Sequence, residues 1–598
     1  MGLVLTYNEK VRQALKAPVN FGIDAILILS IAGLIAAVAV IFGHAAAPRA
    51  HAVTIDLRFR ALPLYTFYSL SRGVIAYLLS LVFTLVYGTI SSHNRTAERF
   101  MVPALDVLQS LPMLTFLPGL VTIFARLFPN SWLGLELACV VTIFTAQAWN
   151  MTFSYHASVR SIPTALQEAA QIQRLNGWQR FRFLELPASM IGLVWNSMMS
   201  MAGGWFVITV NEAFTLNGQD YRLPGLGSYM KQAQDEWNVK AMIAGVIAVI
   251  VMIVFVDQVC WRPIVVWSQR FKLEDVSSSE KASSWVLTFF RRSRLLKLLD
   301  RFLKRRRLRG QEANPLAPSA AGGADPSPKA EATAQHSGLS ARSILAVVKW
   351  LIVVGLALMA MWGVLRLSQL LIQLPIRNTP ESLGWISVLL ALFYSFLRTS
   401  AAVVIGALWT LPAGVLIGLS PKWSNRLQPI VQIVASFPAP MIYPVTIFLL
   451  VLARIPFGTG CVALMLLGTQ WYTLFNVIAG AMAIPSDLRE AGRVYHLSRW
   501  KCWTQIYIPA VFPYLLTGLI TAAGGAWNAT IIAEEIPIGD KTYKAFGLGS
   551  IIDDATAGGN YALLAAAAVI MGLTVVLINR LFWKRFYRIA EARYSLNV

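Results

Sequence analysis

Runs of about twenty apolar residues recur along this chain, and they restrict its fold more than any other feature. A segment in hydrocarbon has no water to satisfy its backbone, so it closes its hydrogen bonds internally, as a helix. Candidate spans lie near 22–46, 68–92, 101–127, 132–154, 188–214 and 240–266, and again near 345–374, 391–419, 427–453, 457–480, 510–535 and 561–583. Two of them, 101–127 and 427–453, contain prolines, which can break a helix. Composition agrees: 56% of the 598 residues are hydrophobic and 13% are charged, against about 25% charged in ordinary soluble domains. Mean hydropathy is +0.59. The expected fold class is an all-α polytopic membrane protein.

The net charge is +22. In a polytopic chain Lys and Arg gather on cytoplasmic loops, which accounts for the charge with no nucleic-acid partner. The segments "NEKVRQALK" and "HNRTAERF", the loops at 166–187 and 488–509, the stretch 267–343 and the tail "NRLFWKRFYRIAEAR" share one side if the N-terminus is cytoplasmic. Residues 48–62, with Arg49, Arg58 and Arg60, are the exception. Both termini are therefore expected in the cytoplasm. The first apolar run, Phe21 to Ala47, is longer than the core of a signal peptide and reads as an uncleaved span. The four cysteines, Cys139, Cys260, Cys461 and Cys502, form no CxxC and join no histidine cluster, so neither a disulfide framework nor a metal site is expected.

The chain is also written twice. Glu168 and Glu490 are 322 residues apart, as are Pro163 and Pro485, Trp149 and Trp471, Trp178 and Trp500, Pro187 and Pro509, Trp205 and Trp527, and Glu212 and Glu534. The same offset carries "GLGS" at 225–228 onto "GLGS" at 547–550. Upstream the offset is 326, linking Arg72 to Arg398, Thr84 to Thr410, Gly88 to Gly414, Ser110 to Ser436 and Pro112 to Pro438. Such a register marks a tandem duplication. Matching loops share a side only if an even number of spans separates them, so each half has about six spans and the halves are parallel repeats. Substrate would pass where they meet.

Between the halves, Trp285 to Arg309 reads either as a basic amphipathic helix on anionic headgroups or as a solvated basic linker. Gly310 to Gly338 is rich in Pro, Ala, Ser and Gly, the composition of a disordered linker. The expected domains are an N-terminal segment with the first span (1–64), a first repeat (65–266), the linker (267–343), an extra span and loop (344–389), a second repeat (390–586) and a tail (587–598).

The repeated loops read "LQEAAQIQRLNGWQRFRFLELP" (Leu166 to Pro187) and "LREAGRVYHLSRWKCWTQIYIP" (Leu488 to Pro509). Pro163 and Pro485 suit a first helical turn, and Thr164 and Ser486 put short polar side chains near the helix start. Glu168 and Glu490 complement the N-terminal dipole. Ala169-Ala170 and Ala491-Gly492 are small enough to let another surface approach. Pro187 and Pro509 break the chain before the next span.

These loops resemble the EAA loop of binding-protein-dependent ABC importer permeases. That motif runs Glu-Ala-Ala, Gly six after the Glu, an aliphatic residue at sixteen, and Leu-Pro at eighteen and nineteen. Here Leu184 or Ile506 stands at sixteen, with Leu186-Pro187 or Ile508-Pro509 closing the loop, and Trp178 with Phe181 or Trp500 with Trp503 supplies the family's aromatic pair. Arg174 and His496 replace the Gly, leaving that turn open. The resemblance implies a type I ABC importer permease fold in a bacterial inner membrane. It also implies that Glu168, Ala169, Ala170, Arg174, Glu490, Ala491, Gly492 and His496 couple to two separate ATPase subunits. Those subunits would bind ATP and Mg, and a periplasmic or lipid-anchored binding protein would deliver the cargo. This chain has no Walker A sequence and no catalytic constellation, so no enzymatic activity and no cofactor of its own are expected.

"GGWFVITVNEAF" (Gly203 to Phe214) and "GAWNATIIAEEI" (Gly525 to Ile536), each followed by "GLGS", resemble the nitrate/sulfonate/bicarbonate branch of these permeases. The implied cargo is a small anion. Candidate pathway or gate residues are Trp205, Glu212, Trp527, Asn528, Glu534, Ser110 and Ser436; carboxylates at membrane depth are costly and usually functional. Two other readings are a permease for ferric iron or polyamine, and a secondary transporter or channel with a parallel duplication.

Overall fold

The computed structural model describes residues 54–110, 113–129, 131–216, 219–271, 361–379, 383–539 and 541–583, with isolated positions near 354–358 and 585–589. The expected span at 22–46, most of the one at 345–374, and the segments 285–309 and 310–338 lie outside the described residues. Residues 1–36 and 284–372 form a unit of their own, described as helix over 361–372. The other unit, 37–283 with 373–598, contains both repeats.

Among the described residues the two repeats share eight helices of nine residues or more. The first comprises α1 (Leu62–His93), α2 (Arg95–Ser110), α3 (Leu117–Leu127), α4 (Leu133–Arg160), α5 (Thr164–Ile172), α6 (Leu186–Asn211), α7 (Leu226–Asp235) and α8 (Val239–Val256). The second comprises α9 (Trp385–Leu419), α10 (Pro421–Ser436), α11 (Tyr443–Leu452), α12 (Phe457–Met482), α13 (Ser486–Val494), α14 (Ile508–Ala533), α15 (Leu548–Ala557) and α16 (Tyr561–Ile578). The duplication extends to fine detail. π-helical turns occupy Phe181–Glu185 and Asp257–Trp261 in one repeat, Trp503–Tyr507 and Asn579–Trp583 in the other. Asn238 and Asn560 cap α8 and α16 by accepting from Ala241 N and Leu563 N.

Small residues let the long helices approach, as expected where hydrophobicity alone cannot drive association in lipid. A Cβ on Gly88 would meet the Tyr155 ring at 2.4 Å, and one on Gly73 would meet Trp205 at 2.8 Å. In the second repeat Gly414 faces Val477 and Gly480 faces Tyr514. Thr84 and Thr152 hydrogen-bond across α1 and α4 at 3.1 Å.

The prolines do break the two spans that contain them. The spans expected at 101–127 and 427–453 do not run straight. α2 ends at Ser110, a 3₁₀ turn follows over Met113–Phe116, and α3 then begins. In the second repeat Ile430–Ser436 and Ala439–Leu452 meet at 84°. Pro438 stands in extended backbone at that break, followed by Pro440 within the 3₁₀ turn, and neither can donate to a helix ladder. Among the described residues eight helices are long and apolar enough to cross a bilayer, or nine with this bent pair. Among the described residues the fold is all-α apart from two short hairpins. β1 (Ala213–Leu216) pairs antiparallel with β2 (Gln219–Arg222), and β3 (Glu535–Ile538) with β4 (Lys541–Lys544), in the same register.

The repeats touch along a seam. Phe206 of α6 packs on the second repeat's core around Ala439 and Tyr443. Met113 N donates to Asn528 Oδ1 at 2.7 Å, Gln432 Nε2 to Asp257 Oδ1 at 3.1 Å, and Gly539 N to Gln234 O at 3.1 Å.

Candidate functional sites

At the hairpin end of each repeat a carboxylate is fully buried. Glu212 Oε1 accepts from Ser69 Oγ at 2.7 Å and from Arg72 Nη1 at 2.6 Å, and its Oε2 accepts from Gly227 N at 2.7 Å. Ser69 Oγ in turn accepts from Leu226 N at 2.9 Å. The first turn of α7 thus closes on an internal anion, which suits a helix N-terminus. The second repeat copies this: Glu534 accepts from Ser395 Oγ at 2.8 Å, Arg398 Nη1 at 2.8 Å and Gly549 N at 2.8 Å, with Leu548 N on Ser395 Oγ at 2.8 Å.

This geometry explains the repeated "GLGS". A Cβ at Gly225 would lie 2.3 Å from the Glu212 carboxylate, and one at Gly547 would lie 2.2 Å from that of Glu534. The second glycine meets the preceding span instead: Gly227 faces Thr209 O at 2.7 Å and Gly549 faces Thr530 O at 2.1 Å. Nothing but hydrogen fits at either place.

The two knots differ in one member. Arg72 Nε and Nη2 also clamp Glu136, at 2.6 Å each, so one guanidinium faces two carboxyl groups. The position matching Glu136 is Gly458, whose carbonyl accepts from Arg398 Nε at 2.9 Å. In the sequence Arg72 and Arg398 stand out only as a repeat pair, and Ser69, Ser395 and Glu136 do not stand out. A charged residue inside an apolar run was the available signal.

Beside the knots, the hairpins carry exposed charge. Lys544 bridges Glu535 at 2.9 Å and Asp554. Burial pushes Glu535 up, against the pull of Lys544. Burial opposes the charge on Lys544, yet its bonds to Asp554 and Glu535 raise it.

At the opposite end α5 and α13 stand out from the bundle. Glu168, Ala169, Arg174, Glu490 and His496 are exposed, whereas Ala170 and Gly492 are buried. The fit there is close: a Cβ at Gly492 would lie 2.9 Å from Ile506 Cδ1, the movable end of that side chain. Pro163 and Pro485 are the N-cap residues, one position ahead of the first turn, and Gln167 Nε2 reaches back to Ile162 O at 2.9 Å. Arg174 and His496, at the place of the motif's Gly, take φ of 49° and 46°. Both close Schellman turns: Leu175 N on Ala170 O at 3.1 Å and Leu497 N on Gly492 O at 3.0 Å. The left-handed turn that Gly would favour is therefore made without it. Apolar side chains are left on the surface: Ile172 is 82% exposed, Trp178 66%, Tyr495 77% and Trp500 76%.

The remaining candidates sit along the seam or behind it. Trp205 and Trp527 are buried. Trp205 and Ser436 border one void of about 10 Å³ together with Gln432 and Asp257. Asn528 holds Met113 across the seam. Ser110 ends α2. The buried knots hold Glu212 and Glu534 away from this void, each against its own arginine.

The sequence profile of the binding-protein-dependent transport system inner membrane component family matches residues 79–259 and 410–595. The chain belongs to this family, with the domain present twice. Similar proteins include the nitrate import permease protein NrtB of Leptolyngbya laminosa, 28% identical over 31% of this chain and 63% of the relative. The bicarbonate transport system permease protein CmpB of Synechococcus elongatus is 26% identical over 31% of this chain and 64% of its own. The taurine transport system permease protein TauC of Escherichia coli is 27% identical over 31% and 62%. The alignments thus span under two thirds of each of these relatives. The chain is a multi-pass protein that carries this inner membrane component domain twice.

Proposed function

We propose that this chain forms the whole translocation pathway of an ATP-driven importer for a small anion such as nitrate, bicarbonate, a sulfonate or a related organic acid. Residues 65–266 and 390–586 serve as the two permease domains. Cargo moves along the seam between them, near Trp205, Trp527, Asn528, Ser110 and Ser436. A void of about 10 Å³ admits about one water, so passage requires the repeats to part. Glu212 and Glu534 act as pins that carry hairpin movement back to the spans.

Two separate ATPases, holding ATP and Mg, dock on the loops that contain Glu168, Ala169, Ala170, Arg174, Glu490, Ala491, Gly492 and His496. A periplasmic or lipid-anchored binding protein presents cargo at the hairpin end. The loops and both termini then lie in the cytoplasm, below the inner membrane.

The observation that carries the anion reading is the likeness to relatives named for nitrate and bicarbonate import. The test is uptake into proteoliposomes holding the chain, its ATPase and its binding protein. ATP-dependent accumulation of nitrate, bicarbonate or taurine is expected; accumulation of ferric iron or spermidine alone would refute the anion reading.

A further inference from the structure

The two loop regions differ most in what lies beneath the second helix. Around α13 a cleft of about 460 Å³ opens, lined by Leu419, Arg489, Arg493, His496, Cys502 and Tyr507 among others. That volume falls within the range of small-molecule sites, roughly 300–1,000 Å³. Three of its lining residues are of the cationic type and none is a carboxylate. Arg489 and Arg493 have no ion-pair partner among the described residues. The carbonyls at the end of α13 are already taken, Arg493 O by His496 N and Gly492 O by Leu497 N, both at 3.0 Å. The arginines are therefore not spent on capping the helix.

The matching place in the first repeat is chemically closed. Gln167 and Gln171 stand where the second repeat has Arg489 and Arg493. Arg180, Glu185 and His93 stand where it has Cys502, Tyr507 and Leu419. There Glu185 is fully buried, with Arg180 Nε and His93 Nε2 each 2.8 Å from its Oε1. The first repeat carries its own counter-anion; the second presents cations around an open cleft and supplies none.

The geometry points to a phosphate-type oxyanion site in the cleft beneath α13, with Arg489 and Arg493 as its principal ligands. Guanidinium groups match such an anion bidentately. The anion can come from a phospholipid headgroup, since Leu419 ends a membrane span at this level, or from free phosphate. Its bound charge takes, at the second loop, the place of Glu185 at the first, where that carboxylate joins Arg180 of the loop to His93 at the end of α1. The site requires nothing of the cargo.

Cys502 is a built-in reporter. Cys139 and Cys461 are buried, so Cys260→Ser leaves Cys502 as the one partly exposed thiol. The full chain carrying that change is alkylated with a maleimide in three nanodisc conditions. They are phosphatidylcholine, phosphatidylcholine with phosphatidylglycerol, and phosphatidylcholine with inorganic phosphate at matched ionic strength. Occupancy slows alkylation by 1 + [L]/Kd, so ligand at about ten times Kd slows it about tenfold. Slowing only with phosphatidylglycerol assigns a headgroup, and slowing with inorganic phosphate assigns the free anion. Arg493→Gln should raise Kd at least about tenfold, the loss of one charge-assisted bond, which cuts the protection to about twofold or less, while Arg493→Lys keeps most of it. Absence of slowing in both conditions, or slowing that Arg493→Gln leaves intact, overturns the site. If the thiol proves unreactive throughout, native mass spectrometry of the same samples counts bound phosphate or lipid. Binding lost in Arg489→Gln/Arg493→Gln supports the site, and no retained adduct overturns it.

Discussion

The two repeats share a backbone plan to the level of single π-helical turns, yet they balance charge differently. At the hairpin end the first repeat clamps one arginine between two carboxyl groups, Glu136 and Glu212, whereas the second gives Arg398 one carboxyl group and a glycine carbonyl. At the loop end the first repeat pairs the buried Glu185 with Arg180 and His93, and the second has no such cluster among its described residues. The asymmetry is consistent: the first repeat is the more internally tied at both ends. Duplication conserved what geometry demands, such as the glycines over the carboxylates, and left ion pairing free to diverge where another residue or partner could substitute.

The largest test of this contrast is removal of the arginines. Arg72→Ala strands two buried carboxyl groups and should cost about 3–5 kcal/mol, the range for breaking a buried pair. Arg398→Ala strands one, and its arginine was partly exposed, so its cost should be smaller. Thermal unfolding of the two variants in mild detergent ranks them; equal losses would break the comparison. A second test sharpens what the repeats share. Gly225→Ala and Gly547→Ala each push a methyl into a carboxylate and should cost about 1–3 kcal/mol, as overpacking does, by like amounts in both repeats. A third exchanges the difference itself. Glu136→Gly gives the first knot the composition of the second and should be milder than Glu212→Ala, by about 1–3 kcal/mol for the charge-assisted bonds retained. The smallest effect lies at the left-handed turns. Arg174→Gly and His496→Gly should each stabilise the chain by about 1 kcal/mol, by relieving a non-glycine residue at positive φ, read as a higher unfolding midpoint.

The spans, the duplication and the paired loops were legible because each is a periodic or repeated property of the sequence. Hydropathy marks a span wherever it is long enough, and a fixed offset survives any packing. The bent third helix was only half legible. Prolines announced a break near Pro438 but could not give its angle, which depends on how α11 packs beyond it. The hairpins were missed because four-residue strands such as Ala213–Leu216 carry too few residues for an alternation to register. The knots were missed for a different reason: Ser69, Arg72 and Glu136 are brought to Glu212 from two other helices, and no local pattern encodes that meeting. Glu212 and Glu534 were singled out correctly as unusual carboxylates, but their partners come from tertiary structure alone. The turn at Arg174 and His496 shows the converse, a motif position whose residue changed while its backbone did not.

The asymmetry at the loop end leads to a functional expectation. Both residues of the Asn176/Gln179 capping box bond, whereas Ser498 alone caps the matching turn of the second loop. The first loop should therefore dock the more firmly. Glu168→Ala should release more ATPase than Glu490→Ala and lower cargo-stimulated ATP hydrolysis further; equal losses would leave the loops equivalent.

The central claim is that one chain supplies both coupling sockets of a complete importer. The most direct measurement is the mass of the complex that this chain forms with its cognate ATPase in gentle detergent, by native mass spectrometry or light scattering. Two ATPase subunits per chain are predicted, falling to one when either loop is disabled. A complex with a single ATPase in the unaltered chain, or a second copy of this chain in the assembly, would contradict it.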